Sequence, residues 1–175
     1  MTRHGSNWHS FLAMGLCLVC LLGLAHCAKQ EQTPSLAPDF SVKTLDGQGI
    51  TLSALRGKVI LIDFWATWCG PCRESIPHLI HLRNTYQGKG FEVIGLSEDK
   101  GDVETVRNFV KSLDIPYPIA MSPQDVSRSY GVSALPTAFL IDREGKIQQK
   151  MLGFSPAIAK QMTSKIEELL SQKGP

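Results

Sequence analysis

The sequence predicts an α/β domain in which a central mixed sheet is flanked by helices. Two nearly continuous apolar runs, 59–65 and 91–96, are typical of strands that are buried on both faces. A helical segment at 71–86 lies between them, so the three form a strand–helix–strand unit. A hairpin pattern and a closing helix follow this unit, and that order of elements is characteristic of a layered α/β fold.

The elements on either side of this unit are marked by turn and capping residues. Asp46-Gly47 is a turn dipeptide between two short β-like runs, 40–44 and 50–52, which predicts an N-terminal hairpin. The later elements follow from the same signals. In chain order they are a helix at 103–113, a short strand and helix between Pro116 and Gly131, a hairpin with strands at 138–142 and 147–152, and a helix from Ser155-Pro156 to about Leu170.

The composition is that of a globular protein and makes several kinds of partner improbable. Of the 175 residues, 19% are charged and 43% are hydrophobic, which leaves room for one ordinary domain with accessory segments. The formal net charge is only +2, so nothing indicates a nucleic acid or a strongly acidic partner. The function is therefore expected to depend on a local site.

The N-terminal segment, 1–27, has the pattern of an export leader. Its uninterrupted apolar run, 11–25, is fifteen residues long, which suits a secretory signal and is shorter than the roughly 20 residues of a comfortable membrane-spanning helix. We therefore expect the rest of the chain to lie on the far side of the membrane. A short polar linker at 28–37 would join the leader to the folded domain at 38–172.

The end of the apolar run leaves three modes of membrane association open. The sequence Leu-Ala-His-Cys at 24–27 resembles a bacterial lipoprotein leader, in which Cys27 would be lipidated. His26 departs from that pattern, because Gly, Ala or Ser is usual before the cysteine. The alternatives are ordinary cleavage near Ala28, which would release the protein, and an uncleaved signal anchor.

Only two of the five cysteines, Cys69 and Cys72, lie beyond the leader. A disulfide between them closes too short a loop to stabilise a fold much, so their pairing points to chemistry. Cys69 lies at the N-terminus of the predicted helix, whose free N–H groups and dipole would lower the pKa of its thiol. Cys69 would then attack a partner disulfide and Cys72 would resolve the mixed disulfide. Gly70 permits close approach of a partner backbone, and Pro71 suits the first helical turn.

The same cysteine spacing is also half of a zinc site. The sequence has no second cysteine pair, and His78 lies roughly 240° around the helix from Cys72. We therefore expect no metal ion, and no cofactor other than the redox-active pair itself.

The sequence Trp-Ala-Thr-Trp-Cys-Gly-Pro-Cys at 65–72 resembles thioredoxin. Together with Ala-Pro-Asp-Phe at 37–40 and Leu-Pro-Thr at 135–137, it resembles the TlpA/ResA-like branch of membrane-anchored thiol–disulfide oxidoreductases. The resemblance covers about residues 37–172 and implies a thioredoxin-like fold. Residues 98–135 leave room for the helix and strand that this branch inserts into the fold.

The resemblance implies a catalytic role for Asp63, the only charged residue of the apolar run 59–65. It matches the buried aspartate of thioredoxin and would accept a proton from Cys72, with a pKa that burial raises. Thioredoxin pairs this aspartate with a lysine on the next strand. Gly95 occupies that position here.

The resemblance also implies a substrate groove beside the cysteines. Pro136 matches the cis-proline of the family, and Leu135 and Thr137 on either side of it would take part in substrate binding. Trp68, Pro71 and Leu135 are expected to form an exposed apolar patch.

One departure concerns the helix after the cysteines. TlpA/ResA-like proteins commonly carry a glutamate three residues after the second cysteine, where this chain has Ser75. Glu74 is one residue too early and about 100° away around the helix. An acid–base role for a glutamate at this place is therefore in doubt.

The implied function is reduction of protein disulfides outside the cytoplasm, for example in cytochrome c maturation. Its partners would be exported proteins that contain disulfides and a membrane electron donor, and the protein is expected to be a monomer. One alternative is a thiol peroxidase, because peroxiredoxins share the Ala-Pro-Asp-Phe opening, but Ala66 stands where their catalytic motif requires a threonine. The other alternative is a copper-handling module, and the cysteine pair is the only sequence feature that supports it.

Overall fold

The computed structural model describes residues 34–172. The predicted leader, with Cys27, lies outside the described residues. Among the helices within 34–172, none combines the length and the apolar character needed to cross a membrane.

The described chain contains seven strands and four α-helices, close to the predicted positions. The strands are β1 Ser41–Lys43, β2 Gly49–Thr51, β3 Val59–Trp65, β4 Phe91–Ser97, β5 Ile119–Met121, β6 Thr137–Ile141 and β7 Ile147–Leu152. The helices are α1 Gly70–Tyr86, α2 Val103–Ser112, α3 Gln124–Ser129 and α4 Pro156–Ser171. The boundaries agree within about two residues because turn dipeptides and capping residues are local signals.

Five of the strands form one mixed sheet in the order β5-β4-β3-β6-β7. Strands β3, β4 and β5 are parallel, whereas β6 is antiparallel to both β3 and β7. All seven residues of β3 are buried, as its continuous apolar run predicts for a central strand. The first two strands form the predicted N-terminal hairpin as a separate two-stranded sheet.

Helices cover the two faces of the sheet, and the alternation along β3 assigns its side chains to them. Leu61 and Trp65 pack in the cluster that includes side chains of α1, α2 and α4, among them Leu79, Val106 and Ile166. Ile60, Ile62 and Phe64 pack on the opposite face with the hairpin and α3, through Phe40 and Val126 among others. Helices α2 and α3 with β5 occupy the inserted region expected at 98–135.

The predicted linker is too long at its C-terminal end. Residues 35–37 are attached to the β6–β7 hairpin: the Ala37 N–H donates to the Gly145 carbonyl at 2.9 Å, and the Ile147 N–H donates to the Ser35 carbonyl at 2.8 Å. The Ala37 side chain is buried. These contacts are long-range, so the polar composition of the segment did not reveal them.

Three chain segments meet at one edge of the sheet. Strands β3 and β4 are parallel and both end there, and the antiparallel pairing of Phe64 with Thr137 brings the start of β6 to the same edge. The loop that carries Cys69 and the loop that carries Pro136 therefore converge.

Candidate active site

Cys69 and Cys72 are joined by a disulfide at the start of α1, with their Cα atoms 5.3 Å apart. Cys69 is the N-cap residue of the helix, and its Sγ accepts a hydrogen bond from the Cys72 N–H at 3.3 Å. Cys69 is 6% exposed and Cys72 is completely buried, in the order expected for an attacking and a resolving cysteine. After reduction, the N–H groups at this helix end would stabilise a thiolate on Cys69.

The Leu135–Pro136 peptide bond is cis, as the resemblance implied. The Pro136 carbonyl accepts a hydrogen bond from the Gly153 N–H at 2.8 Å, so the segment after β7 borders the same loop. The Thr137 side chain is fully buried and its Oγ1 donates to the Ala134 carbonyl at 2.7 Å. The Thr137 side chain therefore holds the loop in place, and the part of Thr137 in substrate binding stays a prediction.

Apolar side chains lie in and next to the two loops that converge at the cysteine end of the sheet. Trp68 is 68% exposed and Pro71 is also exposed, whereas Leu135 is half-buried against the core. The sequence did not indicate that Leu152 belongs to this group of side chains. Leu152 is 54% exposed and pairs with Thr137, next to Pro136. Alternation along β7 places Leu152 on the face opposite buried Met151, but only the register shows that it ends beside the cis-proline.

Asp63 is buried at 2% exposure in the middle of β3. It shares its strand face with Leu61 and Trp65, which belong to the same core cluster as Cys69 and Cys72. Its Oδ2 atom has no hydrogen-bond partner among the described residues. Burial raises the pKa of the Asp63 carboxyl to about 7, which confirms the predicted direction.

Gly95 pairs directly with Asp63 across β3 and β4. A Cβ atom on Gly95 would lie 2.4 Å from Ile119 Cδ1, 3.1 Å from Trp65 Nε1 and 3.4 Å from Tyr117 Cε2. A lysine does not fit at position 95, because Ile119 of the inserted strand β5 and Tyr117 just before that strand fill the space beside Gly95. The pKa of Tyr117 is raised well above its ordinary value, by burial first and then by the charge of Asp63.

Comparison with known proteins agrees with this geometry. The sequence pattern of the AhpC/TSA family matches residues 35–150. The chain belongs to this thioredoxin-like family. It is 39% identical over 140 residues to the thiol–disulfide oxidoreductase ResA of Bacillus thuringiensis subsp. konkukian, and the match covers 79% of this chain and 77% of that protein.

Two solved structures have a fold similar to that of this chain. A Chlorobium tepidum chain, provisionally named thiol:disulfide interchange protein DsbE, has a TM-score of 0.75 and 35% identity, over 80% of this chain and 99% of that one. The pneumococcal exposed lipoprotein thioredoxin of Streptococcus pneumoniae has a TM-score of 0.63 and 27% identity, over 75% of this chain and 100% of that one. The chain is a thiol–disulfide oxidoreductase of thioredoxin-like fold.

The oxidoreductase has no glutamate at the buried position that follows its cysteines. Ser75 is buried there, and its Oγ donates to the Cys72 carbonyl at 2.8 Å. Glu74 is exposed. Neither residue therefore places a buried glutamate carboxyl group next to the cysteines. Asp63 is the carboxyl group on the face of β3 that packs with the cysteines.

Two further features of the site were not evident from the sequence. Asp99, just after β4, accepts hydrogen bonds from Thr67 in the loop before Cys69. His78 packs against Phe154 with ring centroids 6.0 Å apart, and burial lowers its pKa. Within residues 34–172, no three His, Cys, Asp or Glu side chains come together as a metal site.

Proposed function

We propose that this protein is an extracytoplasmic, membrane-associated reductase of disulfides in exported proteins. The observation that carries the proposal is the disulfide at the start of α1, which adjoins the exposed apolar side chains of Trp68 and Pro71. Such a surface accommodates a polypeptide, whereas a small-molecule enzyme normally encloses its substrate in a deep pocket. The Gly70-Pro71 spacer is that of thioredoxin, a strong reductant near about −270 mV.

The reaction transfers two electrons from the dithiol to a client disulfide. The Cys69 thiolate attacks one client sulfur, so that a Cys69–client disulfide forms and the second client sulfur leaves as a thiolate, which takes up a proton. The Cys72 thiol then loses its proton and attacks the Cys69 sulfur. The Cys69–Cys72 disulfide forms, and the first client sulfur leaves as the second thiol.

Asp63 supplies the proton acceptor for the second step. A carboxyl group with a pKa of about 7 is partly ionised at neutral pH, so it can take the Cys72 proton and return it later. Because its Oδ2 atom has no hydrogen-bond partner among the described residues, no such bond at that atom favours the protonated or the ionised form of Asp63.

The location rests on the N-terminal sequence. The apolar run at 11–25 supports export, and the Leu-Ala-His-Cys sequence supports a lipid anchor on Cys27. The similarity to a pneumococcal exposed lipoprotein fits this anchor. Labelling with a radioactive fatty acid tests it, with Cys27→Ser expected to abolish incorporation.

The partners follow from the direction of the reaction. In an oxidising compartment, the Cys69–Cys72 disulfide must be reduced again, and a membrane dithiol donor supplies those electrons. The monomeric protein would act on exported clients, for which the apoprotein of a cytochrome c is one example: its two haem-attachment cysteines must be reduced before they react.

Trapping tests the client and the direction together. The Cys72→Ser variant cannot resolve the mixed disulfide, so clients remain attached to Cys69 and can be identified by mass spectrometry. The Cys69→Ser, Cys72→Ser double variant is the matched control. A reduction potential well above that of thioredoxin, or a variant that traps no protein, would contradict the proposed reductase.

Thiol peroxidase activity is not favoured. The nearest threonine is Thr67, two residues before Cys69, and its hydroxyl donates to Asp99 at 2.6 Å. It is therefore engaged away from a peroxide that would bind at Cys69.

A further inference from the structure

A tight turn connects β3 to α1, the helix that begins at the two cysteines. The Cys69 N–H donates to the Ala66 carbonyl at 3.1 Å, so Thr67 and Trp68 are the two central residues of the turn. This turn carries both the attacking cysteine and the exposed tryptophan. Its conformation therefore sets how the two are presented to a client.

The Asp99 carboxylate holds the turn from the β4 side. Its Oδ2 accepts hydrogen bonds from the Thr67 N–H at 2.9 Å and from the Ser97 hydroxyl at 2.7 Å, and its Oδ1 accepts from the Thr67 hydroxyl at 2.6 Å. Hydrogen bonds to an ionised acceptor are stronger than those between neutral groups. Both polar donors of Thr67 are thus used by one side chain from the segment that follows β4.

Arg73 holds the same turn from the helix side. Its Nε donates to the Thr67 carbonyl at 2.8 Å, and its guanidinium lies 5.4 Å from the centroid of the Phe109 ring. Phe109 in turn packs on Trp65, the last residue of β3, with centroids 5.5 Å apart. The backbone of Thr67 is therefore fixed at both its N–H and its carbonyl.

We propose that Asp99 is a positioning residue for disulfide exchange with protein clients. Through Thr67 it keeps Trp68 and Cys69 in one geometry, in which the tryptophan surface and the sulfur meet a polypeptide at the same time. Without Asp99 the turn can move, and the client contact at Trp68 is no longer aligned with attack at Cys69. A small disulfide needs only the sulfur and is affected less.

The test compares a protein disulfide with a small one. We expect Asp99→Ala to lower kcat/KM for insulin disulfides about tenfold, since small misplacements of reacting groups have effects of this size or larger. The loss of kcat/KM for hydroxyethyl disulfide should be no more than about twofold, because this small substrate needs only the Cys69 sulfur and not its alignment with Trp68. Asp99→Asn should recover most of the insulin activity, because an amide can accept from the Thr67 N–H and donate to its hydroxyl.

Thr67 provides an independent pair of variants. Thr67→Val removes the hydroxyl and keeps the N–H, so the selective loss with insulin should be intermediate. Thr67→Ser keeps both donors and should behave like the unmodified protein.

Asp142 is the matched control for a loss of stability alone. It also accepts three hydrogen bonds, from the Glu144 N–H, the Lys146 N–H and the Gln148 side chain, in the β6–β7 turn at the opposite edge of the sheet. Asp142→Ala should lower stability without changing the ratio of the two rates. The proposal is overturned if Asp99→Ala keeps that ratio as well, or if Asp99→Asn is as impaired as Asp99→Ala, which would assign the effect to charge.

Discussion

Replacing Asp63 by asparagine should stabilise the oxidised protein at neutral and alkaline pH. Burial raises the pKa of the Asp63 carboxyl from its usual 3.8 to about 7. An acid whose pKa is higher in the folded state opposes folding wherever the unfolded chain has ionised it. Asparagine is of similar size and carries no charge at any pH, so it removes this opposition.

The magnitude follows from the interval between the two pKa values. Below pH 3.8 the carboxyl is protonated in both states, and Asp63 contributes no pH-dependent cost. Between pH 3.8 and about 7, each pH unit lowers the free energy of unfolding by about 1.4 kcal/mol. The full cost, reached above pH 7, is therefore about 4 kcal/mol as an order of magnitude.

Denaturant unfolding of the oxidised protein at a series of pH values between 4 and 8.5 measures this effect. The difference between Asp63→Asn and the unmodified protein should be small at pH 4 and grow to several kcal/mol by pH 8. Asp125→Asn, which removes an exposed aspartate from α3, is the control for a change of net charge.

The same variant should be slower in the second chemical step. Decay of a preformed Cys69 mixed disulfide should slow by about 100-fold, the lower end for loss of a general base. Parallel pH–stability curves for the two proteins would refute the raised pKa. A variant that loses stability and keeps full turnover would show that Asp63 is a structural hydrogen-bonding residue.

Three further outcomes are expected from the same geometry. Trp68→Ala should raise KM for protein disulfides several-fold while unfolding changes by less than about 0.5 kcal/mol, because the side chain is largely exposed; an unchanged KM would remove Trp68 from the client surface. Gly95→Ala should destabilise the fold by about 2 kcal/mol through overpacking, with partial recovery on adding Ile119→Val, measured as a shift of the denaturation midpoint. In the reduced protein, iodoacetamide should modify Cys69 well before Cys72, which peptide mass mapping checks; modification of Cys72 first would reverse their roles.

The sequence alone determined the local features of this protein. The apolar run of β3, the turn dipeptide of the first hairpin and the Ser155-Pro156 helix start are signals that act within a few residues, and each element lies where they predict it. The cysteine pair was also identifiable, since its spacing and its place before a helix are properties of a short segment. The buried state of Asp63 followed from its apolar neighbours in the same strand.

Only the tertiary structure decided which distant groups surround the site. Tyr117 and Ile119 come from the inserted region and fill the space above Gly95, which explains the missing lysine. Asp99 reaches Thr67 from thirty-two residues away. Leu152 borders Pro136 because β7 pairs with β6 in a register that sets Leu152 opposite Thr137. Contacts of this kind depend on strand order and side-chain packing, and no periodicity or motif within a single segment encodes them.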